Sequence, residues 1–175
     1  STEPVAVLDD YAVLQQVDKR DMLRLISELP EQFETAMGVS RLYSPEPLEE
    51  EPNAVVFIGM GDSSVAMDIA VSVLVGESRV PVISIHADRL PKFVNERSIV
   101  VPMSYTGTSD LIVRNYSEAR ERGARVVCVT SGGPLLETAL KDGEPAIRVL
   151  PGQPARTAIG YQFAPLVAIL DALGL

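Results

Sequence analysis

The chain has 175 residues, 46% apolar and 22% charged, enough for one sizeable globular core and an appendage but not for two full domains. Its net charge of -9 is unevenly spread: up to Pro52 there are 12 acidic and 4 basic residues, and from Asn53 onward 12 and 11. No basic stripe with interleaved aromatics is present, which argues against nucleic acid, and the lone Cys128 makes no internal disulfide and reads as a core thiol.

Residues Ser1 to Tyr43 read as helical. Asp21 is a plausible N-cap, Met22, Leu25, Ile26 and Leu29 form a stripe, and Pro30 begins a further turn carrying Phe33, Ala36 and Met37. Ser44 to Pro52, with three prolines and four glutamates, buries little and predicts a linker. Residues 1–52 are thus an acidic helical arm and linker, and 53–175 a single domain.

That domain opens on Ala54 to Ile58, an uninterrupted apolar run suited to a parallel strand covered on both faces. Gly59 and Gly61 follow, allowing a tight turn and a close approach of bare backbone to a ligand. Ala66, Ile69, Ala70, Val73 and Leu74 then recur with helical spacing. Further strands are expected over Val80 to Ile85, Ser98 to Tyr105, Ala124 to Thr130 and Ala146 to Leu150. Pro102 lacks a ladder donor and predicts an early end or a bulge in the third. Helices are expected up to Arg122, stopped by Gly123, and from Pro134. The final helix, where Pro165 predicts a kink or late start, is broken for membrane crossing by Gln162, Pro165 and Asp171. Five strands alternating with helices predict an α/β fold, a three-layer, doubly wound, five-stranded parallel sheet with its ligand crevice at the carboxyl ends of the strands. The lack of a basic, apolar-cored leader predicts a cytoplasmic protein.

Three strand exits are rich in small polar residues: Gly61-Asp62-Ser63-Ser64, Ser104 to Ser109, and Thr130-Ser131-Gly132-Gly133. Hydroxyls, free backbone N–H groups and helix dipoles together can hold a phosphate dianion without many basic side chains. One such loop is ordinary turn chemistry; three at one rim point to a site. Gly59-x-Gly61 does not reach the third glycine of a dinucleotide fingerprint, because position 64 is Ser64, so no cofactor is expected. No metal is expected either. The sole histidine, His86, follows the second strand and reads as a structural or surface residue.

Together these loops resemble the sugar isomerase (SIS) domain, a flavodoxin-like fold, and specifically the amino-terminal half of the bifunctional phosphoglucose/phosphomannose isomerase family. The similarity is carried by Leu29-Pro30-Glu31-Gln32, Gly59-Met60-Gly61-x-Ser63, Leu90-Pro91, Ser104-Tyr105-Thr106-Gly107, Thr130-Ser131-Gly132-Gly133, Pro151 to Arg156, and Gly160-Tyr161. The resemblance implies that Gly61, Ser63, Ser104, Thr106 and Ser109 hold a sugar phosphate and that Arg156 faces the sugar and steadies developing negative charge. The chain departs from the family pattern at Asp62, where glycine is usual, and at Thr108-Ser109, where Asn-Thr is usual. The resemblance also places the glutamate and histidine of proton transfer in a second sheet domain, which leaves the catalytic residues unassigned here. The implied partner is a second SIS domain or a second copy, giving a dimer, with the apolar final helix as the expected contact. The alternative is a catalytically inactive phosphosugar-binding or regulatory module.

Overall fold

A computed structural model describes residues 10–175; the first nine residues of the predicted arm lie outside the described ones. Helix α1 spans Tyr11–Val17, with the Asp10 carboxylate accepting from the Ala12 and Val13 backbone N–H groups. Helix α2 spans Met22–Ser27, and Asp21 holds the expected N-cap position. Asp21 sits at φ 54° with no capping bond, while the Asp18 carboxylate accepts from Met22 N at 2.7 Å and Leu23 N at 2.9 Å. Those two bonds hold its pKa below the usual carboxylate value. Helix α3, Leu29–Ser40, has Pro30 in its first turn, where a missing N–H costs nothing.

Six parallel strands form the sheet: β1 Ala54–Gly59, β2 Val82–Ile85, β3 Ser98–Met103, β4 Arg125–Val126, β5 Cys128–Thr130 and β6 Ala146–Arg148. Their order is β2-β1-β3-β5-β6, with β4 also on β3. Five strands were expected and six occur because the fourth is split at Val127. Val127 N donates to Val100 O and Ser104 N donates to Val129 O, so the intervening ladder position belongs to Pro102, which has no N–H to give. Strand β3 runs through Pro102 without a bulge and ends at Met103, short of the expected Tyr105, and its neighbour is interrupted as well. Counting β4 and β5 as one position, the order is 2-1-3-4-5, with its switch point between β1 and β3.

Helices α4 (Ser64–Leu74), α5 (Asp110–Glu121), α6 (Gly133–Asp142) and α7 (Ile159–Leu173) cover the two faces. Alternation along the strands sends Val55, Phe57, Ile99, Val101 and Val129 toward Ala66, Met67 and Ala70 of α4 and Leu166, Ile169 and Leu170 of α7. Ala54, Val56, Ile58, Val100 and Cys128 point the other way, toward Ile112 and Tyr116 of α5 and Leu135 and Ala139 of α6. Full burial of each such aliphatic side chain contributes about 1.5–3 kcal/mol. Cys128 is a core thiol, pushed up to about 12 chiefly by burial. No helix of the described residues is long and apolar enough to cross a membrane.

Helix α7 begins at Ile159 and carries Pro165 internally and buried, so the expected late start does not occur. Nor is this helix an uncovered surface. The sheet takes one side of it and α3 the other, with Phe33 and Phe163 ring centroids 5.8 Å apart. The close approach depends on Gly160, where a Cβ would stand 2.7 Å from Gln32 Cβ and 2.9 Å from Phe33 N. The exposed apolar stripe lies instead on α4, at Val65, Ile69 and Val73.

Candidate functional site

The exits of β1 and β3 flank the switch point and form the walls of a cleft of about 300 Å³. After β1 the chain makes a single 3-10 turn, Gly61–Ser63, and runs directly into α4. Gly61 opens that turn at φ 61°, a conformation side-chain-bearing residues rarely adopt. Ser63 is buried, and its Oγ accepts from Tyr105 N at 3.2 Å, which ties the first loop to the second and leaves the hydroxyl proton available.

The second loop runs from Ser104 to the start of α5. Ser104 is buried as a residue, yet its hydroxyl makes no hydrogen bond to the described residues. The Thr106 and Thr108 hydroxyls meet at 2.8 Å. Ser109 is the N-cap of α5, but its side chain makes no capping bond and remains open to the cleft. The structure therefore gathers Gly61, Ser63, Ser104, Thr106 and Ser109 around one cavity, at the N-termini of both α4 and α5. Unpaired N–H groups and positive dipole ends meet there, and no Lys or Arg lines the space.

Arg156 does not line the cleft; its neighbour Ala155 does. Arg156 stands at the rim, in a short 3-10 turn Ala155–Thr157, with Nη1 3.8 Å from Asp62 Oδ2. Both side chains are about half exposed, so the pair is loose, and Asp62 turns its charge toward the arginine.

The third predicted loop is not part of the cavity. Thr130 to Gly133 lies behind the second loop and buttresses it: Ser131 N and Oγ both donate to Tyr105 O, at 2.8 and 2.6 Å, and Leu135 N donates to Gly107 O. His86 is also away from the cleft. Its Nε2 lies 2.8 Å from Asp68 Oδ1 of α4, which also accepts from Ser84 Oγ at 2.6 Å. The hydroxyl bonds the carboxylate rather than the imidazole, so the arrangement lacks the serine-to-histidine link of a nucleophilic triad.

Sequence reasoning passed over Tyr105. Its side chain crosses from the second loop to the segment carrying Arg156, where Oη donates to Leu150 O at 2.8 Å and accepts from Gln153 N at 3.4 Å. Burial raises its phenol pKa above the ordinary value. A tyrosine ending an apolar strand reads as core, and only its partners reveal a second duty.

No protein-family model matches the sequence. The chain is 31% identical over 154 residues to the bifunctional phosphoglucose/phosphomannose isomerase of Caldicellulosiruptor bescii, covering 88% of this chain and 45% of that protein. It is 31% identical over 117 residues to the enzyme of the same name from Aquifex aeolicus, covering 66% and 37%. Among solved structures, a phosphoheptose isomerase from Francisella tularensis superposes with a TM-score of 0.62 at 17% identity, over 94% of this chain and 98% of that one, a likeness of fold alone. The chain spans less than half the length of these two sequence relatives. By sequence and by architecture, it is a SIS domain of the bifunctional phosphoglucose/phosphomannose isomerase family.

Proposed function

We propose that the cleft binds the phosphate of a hexose 6-phosphate and supplies the substrate-binding half of an aldose-ketose isomerase site. The observation that carries this reading is the convergence of Ser63, Ser104, Thr106 and Ser109 on one cavity at two helix N-termini. Four hydroxyls and the terminal N–H groups of α4 and α5 suit a dianion, and each helix dipole adds about 0.3–1 kcal/mol of attraction. Arg156, one turn away, is within reach of the sugar's oxygens and of charge developing on them. Isomerisation also needs a group to carry a proton between adjacent carbons. Among the described residues lining the cleft there is no histidine or glutamate, and its one carboxylate, Asp62, faces Arg156, so we assign that role to a second SIS domain or a partner chain. Val65, Ile69 and Val73 on α4 are the apolar surface suited to such a partner, and in this reading residues 53–175 bind the phosphosugar while the described part of the arm, residues 10–52, braces them.

A titration with fructose 6-phosphate, run beside a coupled isomerase assay, tests the reading. Binding that weakens about tenfold in Ser104→Ala supports it, and no binding by the folded chain refutes it. Binding without turnover favours the second reading, a catalytically inactive phosphosugar-binding module. Light scattering decides association, with a monomer at all concentrations arguing against the partner surface.

A further inference from the structure

From the buried contacts of the helical arm we infer that Gln32 is a positioning residue for Arg156, making the arm a working part of the phosphosugar site. This inference rests on the cleft reading above. Gln32 is 1% exposed, and its amide nitrogen faces three acceptors: Leu25 O at 3.0 Å, Thr157 O at 2.8 Å and Gln153 Oε1 at 3.2 Å. Flipping the amide would set oxygen against the two backbone carbonyls, Leu25 O and Thr157 O, so the orientation is determined by its surroundings. Two of the acceptors flank Arg156 in sequence, and the third belongs to α2. Gly160 brings α3 close enough for this reach, since any side chain there would collide with Gln32 itself.

Gln162 holds the same segment from the other side, its Nε2 donating to Ala155 O at 2.8 Å and Ala158 O at 3.2 Å. Tyr105 holds the start of the segment through Leu150 O. Two fully buried glutamines and a tyrosine thus fix a stretch of chain whose outward residues are Ala155, on the cleft wall, and Arg156, at its rim. Burying two glutamine amides to hold a surface turn is unfavourable for stability alone, because Gln32 Oε1 and Gln162 Oε1 are left buried without a partner among the described residues. It is understandable if the turn must present a side chain in one place.

The test uses the full chain and two probes, fructose 6-phosphate and inorganic phosphate, with Gln32→Met, Arg156→Ala and the double variant. Gln32→Met is expected to weaken fructose 6-phosphate about tenfold, the scale of one neutral hydrogen bond, while leaving inorganic phosphate within about twofold. Adding Gln32→Met to Arg156→Ala should cause no further loss, because the glutamine acts through the arginine. Amide exchange over residues 153–158 should accelerate in Gln32→Met while α5 is unchanged. Should Gln32→Met fail to fold, Gln153→Ala removes one acceptor at a half-buried position and should shift the same readouts in the same direction. Additive losses, an equal loss for both probes, or unaltered binding in a folded variant overturn the inference. If the wild-type chain binds neither probe, the cleft reading fails first and this inference with it; unaltered variant binding beside normal wild-type binding removes this inference alone.

Discussion

A Cβ on Gly107 would stand 1.7 Å from the carbonyl oxygen of Gly132, so the second cleft loop and the loop behind it touch through bare backbone. Gly107 also sits at φ 71°. Gly107→Ala should therefore cost about 2–4 kcal/mol, combining the left-handed penalty with overpacking against backbone that has no room to move. Gly61→Ala, at φ 61° with nothing within 4 Å, should cost only about 1–2 kcal/mol. Urea denaturation of the two variants checks the order; equal losses would mean that strain alone, and not the loop contact, matters.

Ser104 and Ser131 have similar burial and opposite expectations. Ser104 Oγ has no partner among the described residues, so Ser104→Ala should leave stability within about 0.5 kcal/mol while weakening sugar phosphate about tenfold. Ser131 Oγ donates to Tyr105 O at 2.6 Å, so Ser131→Ala should lower stability by about 1 kcal/mol with a smaller effect on binding. Paired melting and titration experiments distinguish a ligand contact from a buttress.

Asp62 adds a negative charge beside a cleft suited to an anion. Removing it in Asp62→Asn should raise affinity for inorganic phosphate severalfold at low salt, with the gain shrinking as ionic strength rises. Stability should change by less than about 1 kcal/mol, since the Arg156 pair is half exposed and 3.8 Å long. An affinity that falls instead would show that the carboxylate holds Arg156 where the ligand needs it.

Cys128, Tyr105 and Tyr116 are all raised by burial, Cys128 to about 12 from an ordinary 9.0. For each, the folded chain keeps its proton where the unfolded chain has lost it. Their stabilisation is complete below the unfolded values and is lost as pH rises through the interval up to the folded ones. Stability should thus decline from about pH 9 upward, and Cys128→Ala should flatten the first part of that decline at the expense of a small cavity. The native thiol should resist a disulfide reagent at pH 8 and react on unfolding.

Much of the fold was legible because its signals are local. Apolar runs of five or six residues mark β1 and β3, helical spacing marks α4, and Gly123, at φ 76°, ends α5 where expected. The cleft hydroxyls were legible too, as small polar residues just after strands. Pro102 was correctly seen as a ladder defect, but its consequence also falls on β4 and β5, strands that no local pattern identifies as its neighbours.

Chain order alone thus dictated strand, turn and helix, along with the chemical character of each loop, because dihedral preference and hydrophobic period act over a few residues. Which loops meet was settled only by the three-dimensional packing. Sheet order 2-1-3 brought Ser63 to Tyr105 across 42 residues, and Gly160 admitted Gln32 to the turn bearing Arg156, while the glycine pair at 132 and 133 went behind the cleft instead of into it. Those outcomes depend on steric fit and on partners for buried polar groups between segments far apart in sequence, quantities that no short window of residues contains.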